Sequence, residues 1–312
     1  MKIIDASHKR ALNAVFARDG QADRAFERQV SRIVERVRDG GDRALAGFAK
    51  KFDGLTTAME VSREEMTADA ARVPVDVRKA IVAATRNIAR VAARQIPKHI
   101  DITVLPGVSV EQRVEPLARV GCYVPGGRFP LPSSLLMTAV PARVAGVREV
   151  IAVCPRPEPA VMAAALEAGV TRLFRIGGAH AIAALAYGTE SIPRVDKIVG
   201  PGNRWVAQAK ARVSADCAID FFAGPTEIVV VAAEGNVNWW AADLIAQAEH
   251  DPEARSIFIT WNRRYAERVV QRVMKVAAGR DIVQQSLKAH GYAIVAGSPE
   301  EAMALALSLI HI

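Results

Sequence analysis

The chain has 312 residues, 51% of them hydrophobic, enough for two domains with cores of their own, and no apolar run approaches the ~18 uncharged residues of a membrane span. Its 41 Lys and Arg against 33 Asp and Glu give a net charge of +8. That charge is scattered through helices, with no zinc-finger spacing, RNP motif or aromatic-interleaved basic stripe, which argues against nucleic acid. Cys122, Cys154 and Cys217 are widely spaced and form no CxxC, and the N-terminal MKIIDASHKR lacks the apolar core of a signal peptide, so a reducing cytoplasm is expected.

Residues 1–20 read as a short lead with a helix near 11–16. Residues 26–48 carry Val30, Ile33, Val34 and Val37 at helical spacing, and Gly40-Gly41 divides the region into two helices. Ser62 with Glu65 has the form of a capping box. After Pro74, a helix to about residue 95 is marked by Val77, Ile81, Ile88 and Val91. Residues 104–116 alternate polar and apolar, as a hairpin or edge ribbon does.

From there the pattern changes to strand, turn, helix, repeated. Strands are expected at 120–124, 148–154, 172–176 and 195–199, with helices after each. Ser133 or Ser134 is a candidate cap for the first of these helices, and Gly169 closes the second. The rhythm resumes with strands at 227–232, 256–260 and 292–295 and helices at 239–249, 263–277 and from 300. Such alternation predicts parallel sheets flanked by helices.

No GxGxxG occurs, so the usual dinucleotide fingerprint is absent. Three glycine turns nonetheless follow predicted strands: PGG at 125–127, GG at 177–178 and GPGN at 200–203. Each is either an ordinary strand-to-helix turn or part of a ligand crevice at the strand ends. In a crevice, glycine permits close backbone approach and a helix N-terminus favours phosphate.

The stretch 219–252 concentrates the remaining chemistry. On its helix Asp243, Gln247 and His250 recur at spacings of four and three, which puts them along one edge. That edge is either a solvated face or part of a metal site, since imidazole and side-chain carbonyl oxygens both ligate zinc.

The strings IDFFAGPTE and DLIAQAEHDP, with CYVPGG, GGAHAIAALAYGTE and VDKIVGPGN before them, resemble the histidinol dehydrogenase family from near the N-terminus to about residue 306. The resemblance implies NAD-dependent oxidation of L-histidinol to L-histidine through the aldehyde, on a zinc-containing homodimer. It implies zinc ligands at Gln247 and His250, a substrate contact at Thr226, and NAD contacts at Tyr123, His180 and Asn203. At His180 the family pattern has glutamine. Glu249 is either a neighbour supporting the metal ligands or a solvated acid. The family's adjacent glutamate and histidine, in an Ala-Pro-Glu-His context, have no match here, so no catalytic residue is assigned and negligible turnover is expected from this chain by itself. The alternatives are a related zinc and NAD dehydrogenase of another small polar alcohol, or a non-catalytic nucleotide-binding fragment. The expected fold is α/β, with two Rossmann-like parallel-sheet domains, one inserted in the other. Residues 118–229 form the nucleotide-binding domain, and 1–117 with 230–312 form the discontinuous one.

Overall fold

The computed structural model describes residues 1–16, 24–126, 131–221 and 227–310, with residues 309 and 310 described for backbone only. The first elements are β1 (Lys2–Asp5), α1 (Lys9–Phe16) and α2 (Arg24–Phe48). Gly41, at φ 52° and ψ −142°, is non-helical, so α2 is two helical pieces joined across a kink, as the Gly40-Gly41 pair predicts, and a π-helical turn over Ala49–Asp53 extends it. Next come β2 (Glu60–Val61), α3 (Arg63–Ala70), α4 (Val75–Gln95), β3 (Ile100–Leu105) and β4 (Val108–Gln112). Ser62 caps α3, its Oγ accepting the Glu65 N–H at 3.1 Å, as the spacing predicts.

The alternating region contains β5 (Arg119–Tyr123), α5 (Pro132–Val144), β6 (Glu149–Val153), α6 (Pro159–Ala168), β7 (Arg172–Phe174), α7 (Gly178–Tyr187), β8 (Lys197–Val199), α8 (Arg204–Val213) and β9 (Ala218–Ile219). Neither Ser133 nor Ser134 caps α5. The cap position falls on Leu131, and Pro132 opens the helix, where a missing N–H costs nothing. Then follow β10 (Glu227–Val231), α9 (Val237–Ala248), β11 (Arg255–Thr260), α10 (Arg263–Ala277), α11 (Asp281–His290), β12 (Gly291–Val295) and α12 (Pro299–Ile310). Sequence periodicity misses β1, β2, β9 and α11.

The chain divides into two compact units, Asp23–Ala223 and Met1–Ala22 with Gly224–Ile312. The larger has a sheet in the order β2-β7-β6-β5-β8-β9, parallel except for β2. Alternation along β6 shows why both faces are covered. Ile151 and Val153 pack with α2, α7 and α8, while Val150 and Ala152 pack with α3, α4, α5 and α6. This explains a departure from the expected boundary at 117/118. Residues 24–95 supply β2 at the edge and helices to both faces, so they belong to the nucleotide-type unit. The insertion therefore runs over 23–223 rather than 118–229.

The smaller unit has four parallel strands in the order β1-β12-β11-β10. Phe258 and Ala293 face α9, α10 and α11, and Ile257, Ile259 and Ile294 face α1 and α12. The β3–β4 hairpin is exposed along its whole length, with Ile102 opposite Val110. No helix among the described residues is long and apolar enough to cross a membrane.

Candidate functional site

The strand order of the larger unit locates a crevice before any side chain is considered. From β5 the chain steps outward through β6 to β7, then crosses back to place β8 on the other side of β5. The connections diverge between β5 and β8. In open parallel sheets ligands bind at such a switch point, beyond the strand C-termini.

Tyr123 is the last residue of β5 and stands at that point, 3% exposed. Its hydroxyl accepts the Gly178 N–H at 3.1 Å. Burial pushes the phenol up to about 12, so it keeps its proton and remains a donor at neutral pH. Pro155 packs between two of the glycine turns: a Cβ on Gly126 would meet its Cγ at 2.4 Å, and one on Gly177 at 2.8 Å. The third turn touches Tyr123 through the backbone. Gly200 has φ +116°, and a Cβ there would meet the Tyr123 carbonyl oxygen at 2.2 Å. The described parts of the three turns thus converge on Tyr123 and Pro155.

His180 is buried in the first turn of α7, 1% exposed. Its Nε2 lies 2.8 Å from Asp53 Oδ2, and the same carboxylate oxygen accepts the Gly177 N–H at 3.2 Å. The rings of Phe48 and Phe52 lie 6.0 Å from the imidazole. An internal carboxylate therefore sits at the α7 N-terminus, where the helix dipole favours negative charge. With Gly178 N–H on Tyr123, this turn offers its first amides to the protein itself and is not an open phosphate cradle. At α8 the Asn203 side chain does the same, its Oδ1 accepting from Trp205 N at 3.0 Å and Val206 N at 3.2 Å.

Beneath the third turn lies a buried ion pair. Lys210, 1% exposed, bonds Asp220 Oδ1 and donates to the Gly200 carbonyl at 3.0 Å; Asp220 Oδ2 accepts the Gly200 N–H at 2.7 Å. Asp53, Lys210 and Asp220 are the residues that sequence reasoning missed. Each bonds across at least ten intervening or distant positions, so no local spacing marks it.

In the smaller unit, Gln247 is half-buried in the last turn of α9. His250 is exposed just past the helix end, its N–H on the Gln247 carbonyl at 3.3 Å. Asp243 is exposed, and Glu249, also exposed, approaches Arg280 at 3.9 Å. Among the described residues no group of three or more His, Cys, Asp or Glu is placed to hold a metal ion. Thr226 lies outside the described residues.

The family model for histidinol dehydrogenase matches residues 16–309. A histidinol dehydrogenase of Dechloromonas aromatica is 42% identical over 315 residues, covering 97% of this chain and 73% of that protein. One from Gluconobacter oxydans is 44% identical over 299 residues, covering 92% of this chain and 70% of that protein. The crystal structure of histidinol dehydrogenase from Elizabethkingia anophelis superposes with a TM-score of 0.90 at 31% identity, over 99% of this chain and 74% of that one.

Proposed function

The chain belongs to the histidinol dehydrogenase family of oxidoreductases, and from that premise we propose that it serves the NAD-dependent oxidation of L-histidinol to L-histidine through the aldehyde, as a cytoplasmic homodimer that binds zinc. The observation that carries the NAD part is the convergence of the glycine turns on Tyr123 at the β5–β8 switch point.

The residues there fit a dinucleotide. Gly200 brings backbone against backbone where any side chain would intrude, so the third turn packs directly on the end of β5 at the switch point. Tyr123 presents a protonated hydroxyl, and Asn203 uses its Oδ1 for the helix, which leaves its amide N–H groups to donate. His180, held by Asp53, takes the place of the family's glutamine as a fixed polar ring. The first amides of α7 and α8 are already bonded, whereas α5 and α6 both start without a side-chain cap; of these two, α5 follows β5 at the switch point and is the helix end we assign to the phosphates. The bound cofactor would supply the hydride acceptor.

Zinc is a different case. Gln247 and His250 are two candidate ligands, against the four that a protein zinc site commonly uses. The described residues do not complete a site, so no step is routed through the metal. We assign these two side chains as part of a zinc and histidinol site, with Thr226 as a substrate contact, and leave the proton-transferring residue unassigned.

Calorimetric titration tests the cofactor assignment. Saturable binding of NAD by the parent chain, weakened when Tyr123→Phe removes the hydroxyl, is the expected result. No NAD binding at millimolar concentration overturns it. Thermal-shift titration with L-histidinol and zinc, set against other small amino alcohols, tests the substrate.

A further inference from the structure

We propose that Lys210 and Asp220 are positioning residues for the cofactor turn: one ion pair grips Gly200 on both sides of its Cα, at its N–H and at its carbonyl, and holds it against Tyr123. This rests on reading the β5–β8 crevice as the NAD site, and adds two residues which that reading does not contain.

The geometry is specific to one residue, whose two flanking peptides are both held. Asp220, just past β9, takes the Gly200 N–H at 2.7 Å on Oδ2 and the Phe221 N–H at 2.8 Å on Oδ1. Lys210, in the body of α8, bonds that same Oδ1 and sends a second hydrogen bond of 3.0 Å to the Gly200 carbonyl. Its ammonium also lies 5.5 Å from the centre of the Phe221 ring. The ion pair thus ties the turn before α8 to the helix itself and to the strand beyond it.

Stability alone is a poor reason for such a pair. Replacing a buried salt bridge by apolar side chains of similar volume is often neutral, because desolvation offsets the attraction. What this pair does, and an apolar pair would not, is bond the two peptides flanking a glycine whose own conformational preference is weak. Gly200 stands at φ +116°, which glycine visits freely and leaves as freely. It does so packed so close to β5 that a Cβ added to it would lie 2.2 Å from the Tyr123 carbonyl oxygen. A turn that must lie flat for a ligand gains affinity by being held there beforehand.

The test uses the double variant Lys210→Met with Asp220→Asn. It is near-isosteric, leaves no unpaired buried charge, and keeps an acceptor for the Gly200 N–H. Two quantities are read well below the melting temperature: the NAD dissociation constant by calorimetry and hydrogen exchange of the Gly200 amide. The dissociation constant is expected to rise about tenfold and the amide to exchange faster. Val161→Ala, in the core on the other face of the sheet, supplies a variant that lowers the melting temperature and leaves NAD affinity unchanged. An NAD affinity in the double variant within about twofold of the parent, or an equal loss in Val161→Ala, overturns the proposal. If the double variant does not fold, Lys210→Met alone, which leaves the remaining charge on the half-buried Asp220 with its two backbone N–H bonds, is judged by the same outcomes. A parent chain that fails to bind NAD removes the crevice reading and this proposal with it. A parent that binds, beside a double variant that binds equally well, removes only the positioning role.

Discussion

At Gly200 one added carbon does the most harm. Alanine there must adopt φ +116° and place its Cβ 2.2 Å from a carbonyl oxygen that belongs to the buried Tyr123. The obstacle is backbone, so no side chain can swing aside. Gly200→Ala is expected to cost at least about 2 kcal/mol in chemical denaturation and to abolish NAD binding in whatever fraction folds. A variant of parental stability would mean that the turn does not have this shape. The three thiols make a second case. Burial pushes Cys122 up to about 12, and Cys154 and Cys217 to about 11, from 9.0. The fold favours the neutral thiol, so this contribution to stability is complete below pH 9 and is lost as pH rises through 9 toward 11–12. At pH 8 the native thiols should react with a disulfide reagent at least about 100-fold more slowly than a free thiol, and all should react in denaturant. One fast thiol in the native protein contradicts their placement. At this scale the glycine turns are legible in the sequence from their positions after predicted strands, whereas Tyr123 and Asn203 are pointed to only by the family resemblance. The sequence left Asp53, Lys210 and Asp220 unmarked, because a buried acid looks like a surface acid until its partner is brought to it.

Among the elements, α8 shows how a helix start and a ligand contact share one residue. Asn203 caps the helix through Oδ1, bonding two backbone N–H groups, and its Nδ2 is the group available to a cofactor. The two roles are separable. Asn203→Asp keeps an N-cap of equal quality and loses the amide donor, so its melting temperature should stay near that of the parent while NAD affinity falls. Asn203→Ala should lose affinity and also about 1 kcal/mol of stability. Melting and calorimetry on both variants decide the matter, and an Asp variant that binds NAD like the parent removes Asn203 from the site. Elements with local signals were readable. The Ser62–Glu65 pair, Gly169 at φ 70° closing α6, and the period of α10 needed no tertiary information. β1 is four residues long and exists by pairing with β12, far away in the chain, so nothing local announces it. α11 buries only Val283, Ser286 and Leu287, too few apolar positions for a periodic stripe.

At the scale of the whole chain, alternation of strand and helix foretold two parallel-sheet units but not their borders. Periodicity reports which residues are covered and not what covers them, so 24–95 looked like scaffold for either unit. The structure gives these residues to the larger one, whose hydrophobic layers on both sheet faces are built from its own side chains, among them Leu45, Phe174 and Ile198 on one face and Met66, Leu135 and Leu173 on the other. Each such fully buried large side chain contributes about 1.5–3 kcal/mol relative to exposure. A unit with both faces of its sheet covered has what independent folding requires. Tyr123, His180, Asn203, Lys210 and Asp220 all lie within it, whereas Gln247 and His250 belong to the other unit. A polypeptide of residues 23–223 is therefore expected to melt cooperatively by itself and to bind NAD within about threefold of the full chain. It should show no zinc-dependent shift in melting temperature. A well-folded 23–223 that does not bind NAD would mean that essential groups of the crevice come from outside this unit, and the assignment of the cofactor to Tyr123 and its neighbours would have to be redrawn.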